Sequence, residues 1–102
     1  MAQYRQGDVL LIECDAVPKG AKRRTGVVVA TGEATGHRHR FEDESAVAVY
    51  DAPDGDGDLF ADVKFDTALV HEEHGPIPVK PGVYRIRRQR EYTPEAIRRV
   101  SD

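Results

Sequence analysis

The sequence predicts a mainly β fold, a small β-barrel or two-sheet roll with a short C-terminal helix. Three observations carry that expectation. The apolar residues are chiefly Val, Ile, Leu and Ala, with no Trp and one Met in 102 residues, and β-branched side chains suit a half-buried pleated surface. The apolar runs are short, four to seven residues. Gly, Pro and Asp clusters punctuate them at the spacing of a chain that turns back on itself repeatedly.

Taken in order, Asp8–Cys14 (DVLLIEC) reads as a buried strand, and Val17–Gly26 (VPKGAKRRTG) as a loop because of its Pro, two Gly and basic run. Val27–Thr31 is a second strand, His37–Phe41 a third and Ala46–Ala52 a fourth. Pro53–Asp58 (PDGDGD) is a hairpin loop, Leu59–Phe65 another strand, and Thr67–His71 follows after a short turn. Pro81 and Gly82 suit the central positions of a type II turn, where Gly accepts a positive φ. Val83–Tyr92 is then a long strand with Tyr84 and Ile86 inward. Thr93–Val100 is the helix: Thr93 caps free amides, Pro94 suits the first helical position, and Glu95 favours the positive end of the dipole.

The whole chain, 1–102, is one domain, since a chain of this length supports one modest core. A net charge of −3 argues against whole-protein attraction to nucleic acid or anionic membrane. The apolar run Val9–Ile12 is too short for a signal-peptide core or a membrane span, which makes the cytoplasm the expected compartment. Cys14 is the single cysteine, so no intramolecular disulfide forms; its apolar neighbours make it a small core residue rather than a nucleophile. Charge is unevenly spread: nine acidic residues lie between Glu42 and Asp66, and the arginines concentrate from Arg85 to Arg99. That basic end is a solvated face or a protein-partner surface. The sequence leaves a homodimer open.

The chemistry concentrates in the histidines. All four lie in two clusters, His37 and His39 in TGHRHRF and His71 and His74 in LVHEEHGPI. On a strand, residues two apart face one side, so His37 and His39 project together, with Arg38 and Arg40 opposite. Neutral imidazoles so placed suit a divalent transition metal, Zn, Fe, Ni, Cu or Mn. His71 and His74 would complete the set, and a turn at Glu72–Glu73 is needed for both to bind. The safer expectation is three protein ligands: His37, His39 and one of the second pair, with Glu73 or Glu33 able to add a carboxylate. The competing reading has the four rings hydrogen-bonding loops together. HEEH is one residue short of the zinc-protease HExxH. DGDGD lacks the sixth-position glycine and the closing glutamate of an EF-hand loop.

GHRH followed by acidic residues resembles the first metal motif of the cupins. That resemblance implies a metal site of His37, His39, Glu42 or Glu44, and a later His71 or His74. The family's glycine five residues ahead of the first His is not matched at Thr31, and its second motif is absent. The chain also resembles a small bacterial family with the pattern QGDVLL, TGHxH, HEEHxPI and PGxYxxxRQREYTP, matched here in Gln6–Leu11, Thr35–His39, His71–Ile77 and Pro81–Pro94. This second resemblance implies one intact bacterial domain and carries no activity.

Two functions of different class are therefore expected. One is a cupin-like metalloenzyme acting on a small molecule, with Glu72 or Glu73 as base and Arg88 or Arg90 holding an anionic substrate. The other is a non-enzymatic interaction module with a structural histidine cluster, contacting its partner through Arg85–Arg99.

Overall fold

The computed structural model describes residues 2–31, 36–53 and 57–88. Among them are ten strands: β1 (Gln3–Gln6), β2 (Val9–Cys14), β3 (Lys22–Arg24), β4 (Val28–Thr31), β5 (Arg38–Phe41), β6 (Val47–Asp51), β7 (Leu59–Val63), β8 (Thr67–Val70), β9 (Ile77–Val79) and β10 (Gly82–Arg88). They form two antiparallel sheets, one of six strands in the order β1-β2-β10-β7-β6-β3 and one of four in the order β4-β5-β8-β9. The two-sheet alternative thus describes the fold and a closed barrel does not. The expected helix at Thr93–Val100 lies outside the described residues.

The core lies between the sheets. Val9 and Leu11 of β2, Phe41 of β5, Val49 of β6, Ala61 of β7, Leu69 of β8, Val79 of β9, and Tyr84 and Ile86 of β10 are all buried. The alternation in β10 is as expected, Tyr84 and Ile86 inward. β7 departs from simple alternation because Phe60, on its outward face, is buried along with Leu59, Ala61 and Val63. Phe60 is its outward ring, and the Arg85 guanidinium lies over it at 5.6 Å from the centroid. β7 stops at Val63, so Phe65, expected inside this strand, stands half exposed beyond it.

Three strands fall where none was expected, and all are sheet edges or polar. β1 and β3 are the two edges of the six-stranded sheet, and β3 is three exposed basic residues inside the expected loop Val17–Gly26. β9 is an edge of the smaller sheet and contains Pro78, which an edge tolerates because no neighbour needs its missing N–H. Pro81–Gly82 is a bend rather than a type II turn: Gly82, at φ 152, is already the first residue of β10. Cys14 is half-buried, its thiol facing the Ala16 carbonyl at 3.8 Å, and burial pushes its pKa up.

The seam that matters for the site joins β1 to the smaller sheet. Tyr4 and Gln6, two apart on β1, share a face. The Tyr4 hydroxyl accepts the Lys80 amide at 3.4 Å, and its ring packs edge-on to Tyr84 at 5.7 Å. The Tyr84 hydroxyl donates to Lys80 O at 2.7 Å.

Candidate functional site

The β1–β2 connection is a two-residue hairpin, Gly7–Asp8, with Gln6 paired to Val9. Gly7 has φ 58, and among the described residues no non-glycine residue has a positive φ. This is the pattern of a type II′ turn, whose first central position calls for glycine. His74 rests against Gly7 of this turn, and His39 faces Asp8.

His39 lies on the inward face of β5 and is 3% exposed. The His71 ring packs on it with centroids 4.2 Å apart, and the His74 ring lies nearly parallel to it at 5.8 Å. His71 and His74 are 4.7 Å apart, and His37 meets His71 edge-on at 5.5 Å. The two histidine pairs, separated by thirty-one residues of chain, thus form one cluster with His71 between His37 and His39. The chain bends at Glu72–His74, as the ligation of both second-cluster histidines would require.

The hydrogen bonds assign a tautomer to three of the rings. Gln6 is 2% exposed, and its amide nitrogen donates to Leu69 O and to Gly75 O, each at 2.9 Å. Its carbonyl oxygen is therefore what faces His39 Nδ1 at 3.0 Å, so Nδ1 carries the proton and Nε2 the lone pair. His37 Nδ1 lies 2.9 Å from a Glu73 carboxylate oxygen, an acceptor, so this nitrogen also carries a proton. His71 is the opposite case. Its Nδ1 accepts the amides of Glu73 at 3.0 Å and His74 at 3.3 Å, which puts the neutral ring's proton on Nε2. His74 Nε2 rests against the turn: a Cβ on Gly7 would stand 2.6 Å from it.

Asp8 joins this cluster to β10. Its Oδ1 is 3.4 Å from His39 Nε2, and its Oδ2 accepts Arg88 Nε–H at 2.8 Å. Burial acts to raise the Asp8 carboxyl, but the hydrogen bond and charge of Arg88 outweigh it and hold it below its ordinary value. Burial, reinforced by His71 and His74 and opposed by Asp8, pushes the His39 pKa down to about 4, so the ring is neutral near pH 7.

Glu72 and Glu73, the expected bases, have structural partners. Glu72 accepts the Arg38 amide at 2.8 Å, which with other contacts lowers its pKa, and Glu73 is held by His37. Arg88 is paired with Asp8 and lines an open cleft of about 540 Å³ shared with Arg24, Ala30, Asp51 and Leu59. Ala30 pairs with His39 across β4 and β5, so cleft and cluster adjoin. Glu42 is exposed just beyond β5, and Glu44 opens a short 3-10 turn capped by Asp43; neither shares the inward face of His39. Glu33 and Arg90 lie outside the described residues. Arg85 and Arg87 both reach Asp58, at 2.7 and 3.3 Å.

Sequence reasoning missed Gln6, Gly7 and Asp8. Only Gly7 left a signal, as a glycine opening a two-residue hairpin; Gln6 and Asp8 act through residues more than thirty positions away. Among the described residues, no group of three or more His, Cys, Asp or Glu stands as a ready metal-holding set. His71, for one, turns its Nδ1 lone pair into its own loop. No helix among them is long and apolar enough to cross a membrane.

No curated protein and no solved structure matches the chain. A family match covers residues 5–89, which includes the hairpin, all four histidines and Arg88. The chain therefore belongs to the family described as Domain of unknown function (DUF8820).

Proposed function

We propose that the histidine cluster binds one divalent transition metal, Zn, Fe, Ni, Cu or Mn, and that the protein is a cupin-like metalloenzyme acting on a small molecule. The observation that carries this reading is the gathering of all four imidazoles into one cluster that contains the buried, neutral His39, with neighbouring ring centroids 4.2 to 5.8 Å apart. Coordination needs a neutral nitrogen, and a ligating imidazole usually gives its other N–H to a carboxylate or carbonyl. His39 does so to Gln6 and His37 to Glu73. The adjoining cleft has the volume of a small-molecule site, roughly 300–1,000 Å³. Arg88 on its wall supports an anionic substrate.

The second reading, an interaction module whose cluster is structural, is favoured by one observation: His71 Nδ1 closes its own loop. In that reading the basic end from Arg85 to Arg99 meets a protein partner.

Metal analysis of protein purified without a histidine tag separates the two. The metalloprotein reading expects one metal per chain and thermal stabilisation by added metal. At a hundredfold excess over Kd the gain is about 2.7 kcal/mol, which for a domain of this size raises Tm by roughly 10–20 °C. No bound metal and no shift with any of the five ions would leave the structural reading standing.

A further inference from the structure

We propose that Asp8 supplies a carboxylate ligand to the metal of this cluster, beside the Nε2 atoms of His39 and His74, and that Gln6 is the positioning residue that turns His39 Nε2 toward it. The inference rests on the metal-binding reading above and assigns a ligand that the histidine pattern does not contain.

The first argument is an unmatched contact. Gln6 is locked by two carbonyl acceptors, so its own carbonyl takes the His39 Nδ1–H. His39 Nε2 then presents a lone pair to Asp8 Oδ1 at 3.4 Å. Two acceptors face each other with no proton between them, next to a ring that is 3% exposed. In the neutral ring, the form that binds metal, this contact is unfavourable as it stands. A cation bound by both atoms does resolve it, and Arg88 satisfies only the other carboxylate oxygen.

The second argument is Gly7. The His74 ring reaches the β1–β2 turn only because residue 7 has no side chain; a Cβ there would lie 2.6 Å from Nε2 and 3.0 Å from Cδ2. The turn that carries Asp8 thus also admits His74, on the side where His39 lies parallel at 5.8 Å. His71, between them in sequence and space, is excluded as it stands because its lone pair is taken by two amides. Its Nε2–H is a donor, suited to a metal-bound water or to an anionic substrate. Two imidazoles and one carboxylate leave positions open for such a group, the composition that catalytic Zn and non-haem Fe(II) sites share.

The test is Co²⁺ titration followed by visible absorption, on the wild-type chain and on Asp8→Asn, His74→Ala and Gln6→Leu, each checked for folding by circular dichroism. Asp8→Asn and His74→Ala should lose the wild-type spectrum. Gln6→Leu should keep the ligands but weaken Co²⁺ binding about 10–100-fold. If the wild type binds no Co²⁺, the metal reading itself fails. If it binds and Asp8→Asn titrates identically, the metal reading stands and this ligand assignment is overturned. Should Asp8→Asn not fold, the wild type decides by NMR with Zn²⁺: the Asp8 carboxyl carbon and the Nε2 atoms of His39 and His74 should shift. An unmoved Asp8 carbon would refute the assignment.

Discussion

His39 should make the metal-free protein acid-sensitive in a defined window. In the folded chain its pKa is pushed down to about 4, chiefly by burial, whereas the unfolded chain titrates near the ordinary 6.5. Between those values the unfolded state takes up a proton that the folded state refuses, so folding stability rises with pH. The contribution is fully present above about pH 6.5, falls as the pH drops through the window, and levels off below about pH 4. At about 1.4 kcal/mol per pKa unit, the separation corresponds to roughly 3 kcal/mol, a large part of the ~5–15 kcal/mol that holds a small domain together. The assay is urea unfolding with chelator present, from about pH 7.5 down to about pH 4.5, on the wild type and on His39→Gln. The Gln amide keeps a donor for Gln6 and does not titrate, so subtracting its profile removes the carboxylates common to both chains. The wild type should lose about 2–3 kcal/mol more than the variant across that range. Profiles parallel to within about 0.5 kcal/mol would mean that His39 is accessible to protons in the folded state, and the burial argument would fail.

Two substitutions probe the seam around the site. Gly7→Ala combines a left-handed backbone with a Cβ 2.6 Å from His74 Nε2, so it should cost about 1–2 kcal/mol by denaturant unfolding and displace the His74 ring resonances in NMR; an unchanged ring would contradict the close approach. Tyr84→Phe removes the hydroxyl that donates to Lys80 O at 2.7 Å and should lower stability by about 1 kcal/mol, or Tm by roughly 4–8 °C, while a Tm within about 1 °C of wild type would show that water replaces the bond at no cost.

The strands that were legible in the sequence are those whose side chains fill the core. Val9 and Leu11 in β2, Val47 and Val49 in β6, and Tyr84 and Ile86 in β10 show their burial as apolar runs or alternation. The strands that were not legible are held by backbone pairing at an edge. Lys22–Arg24 is exposed and forms β3 because β6 offers a ladder; no property of three basic residues announces that. The same division runs through the site. The histidine spacing announced a cluster, although His37 lies just before β5 and joins His39 through the His71 ring rather than along the strand. What orients those imidazoles depends on which hairpin the fold brings underneath them, and that is a property of topology. Gln6 therefore entered the reading only as part of the QGDVLL pattern, and Asp8 as that and as the first residue of an expected strand.

Gln6 shows why the fold and the site are hard to separate at this end. The two sheets do not close into a barrel, so β1 has no backbone ladder across the seam to the smaller sheet. Side chains from one face of β1 bridge it instead: Tyr4 takes the Lys80 amide, and Gln6 donates to carbonyls at Leu69 and Gly75. A buried amide that spends both its N–H groups on carbonyls must still satisfy its own oxygen, and His39 Nδ1 is the donor that does so. The bond that fixes the His39 tautomer is thus the remainder of a bond set that holds the sheets together. Burial of the seam excludes water from His39, which lowers its proton affinity; satisfaction of Gln6 turns its remaining lone pair outward, toward Asp8 and the turn. A ring kept neutral and aimed in this way is prepared to bind a cation, and the preparation is a consequence of how an open β structure seals its edge.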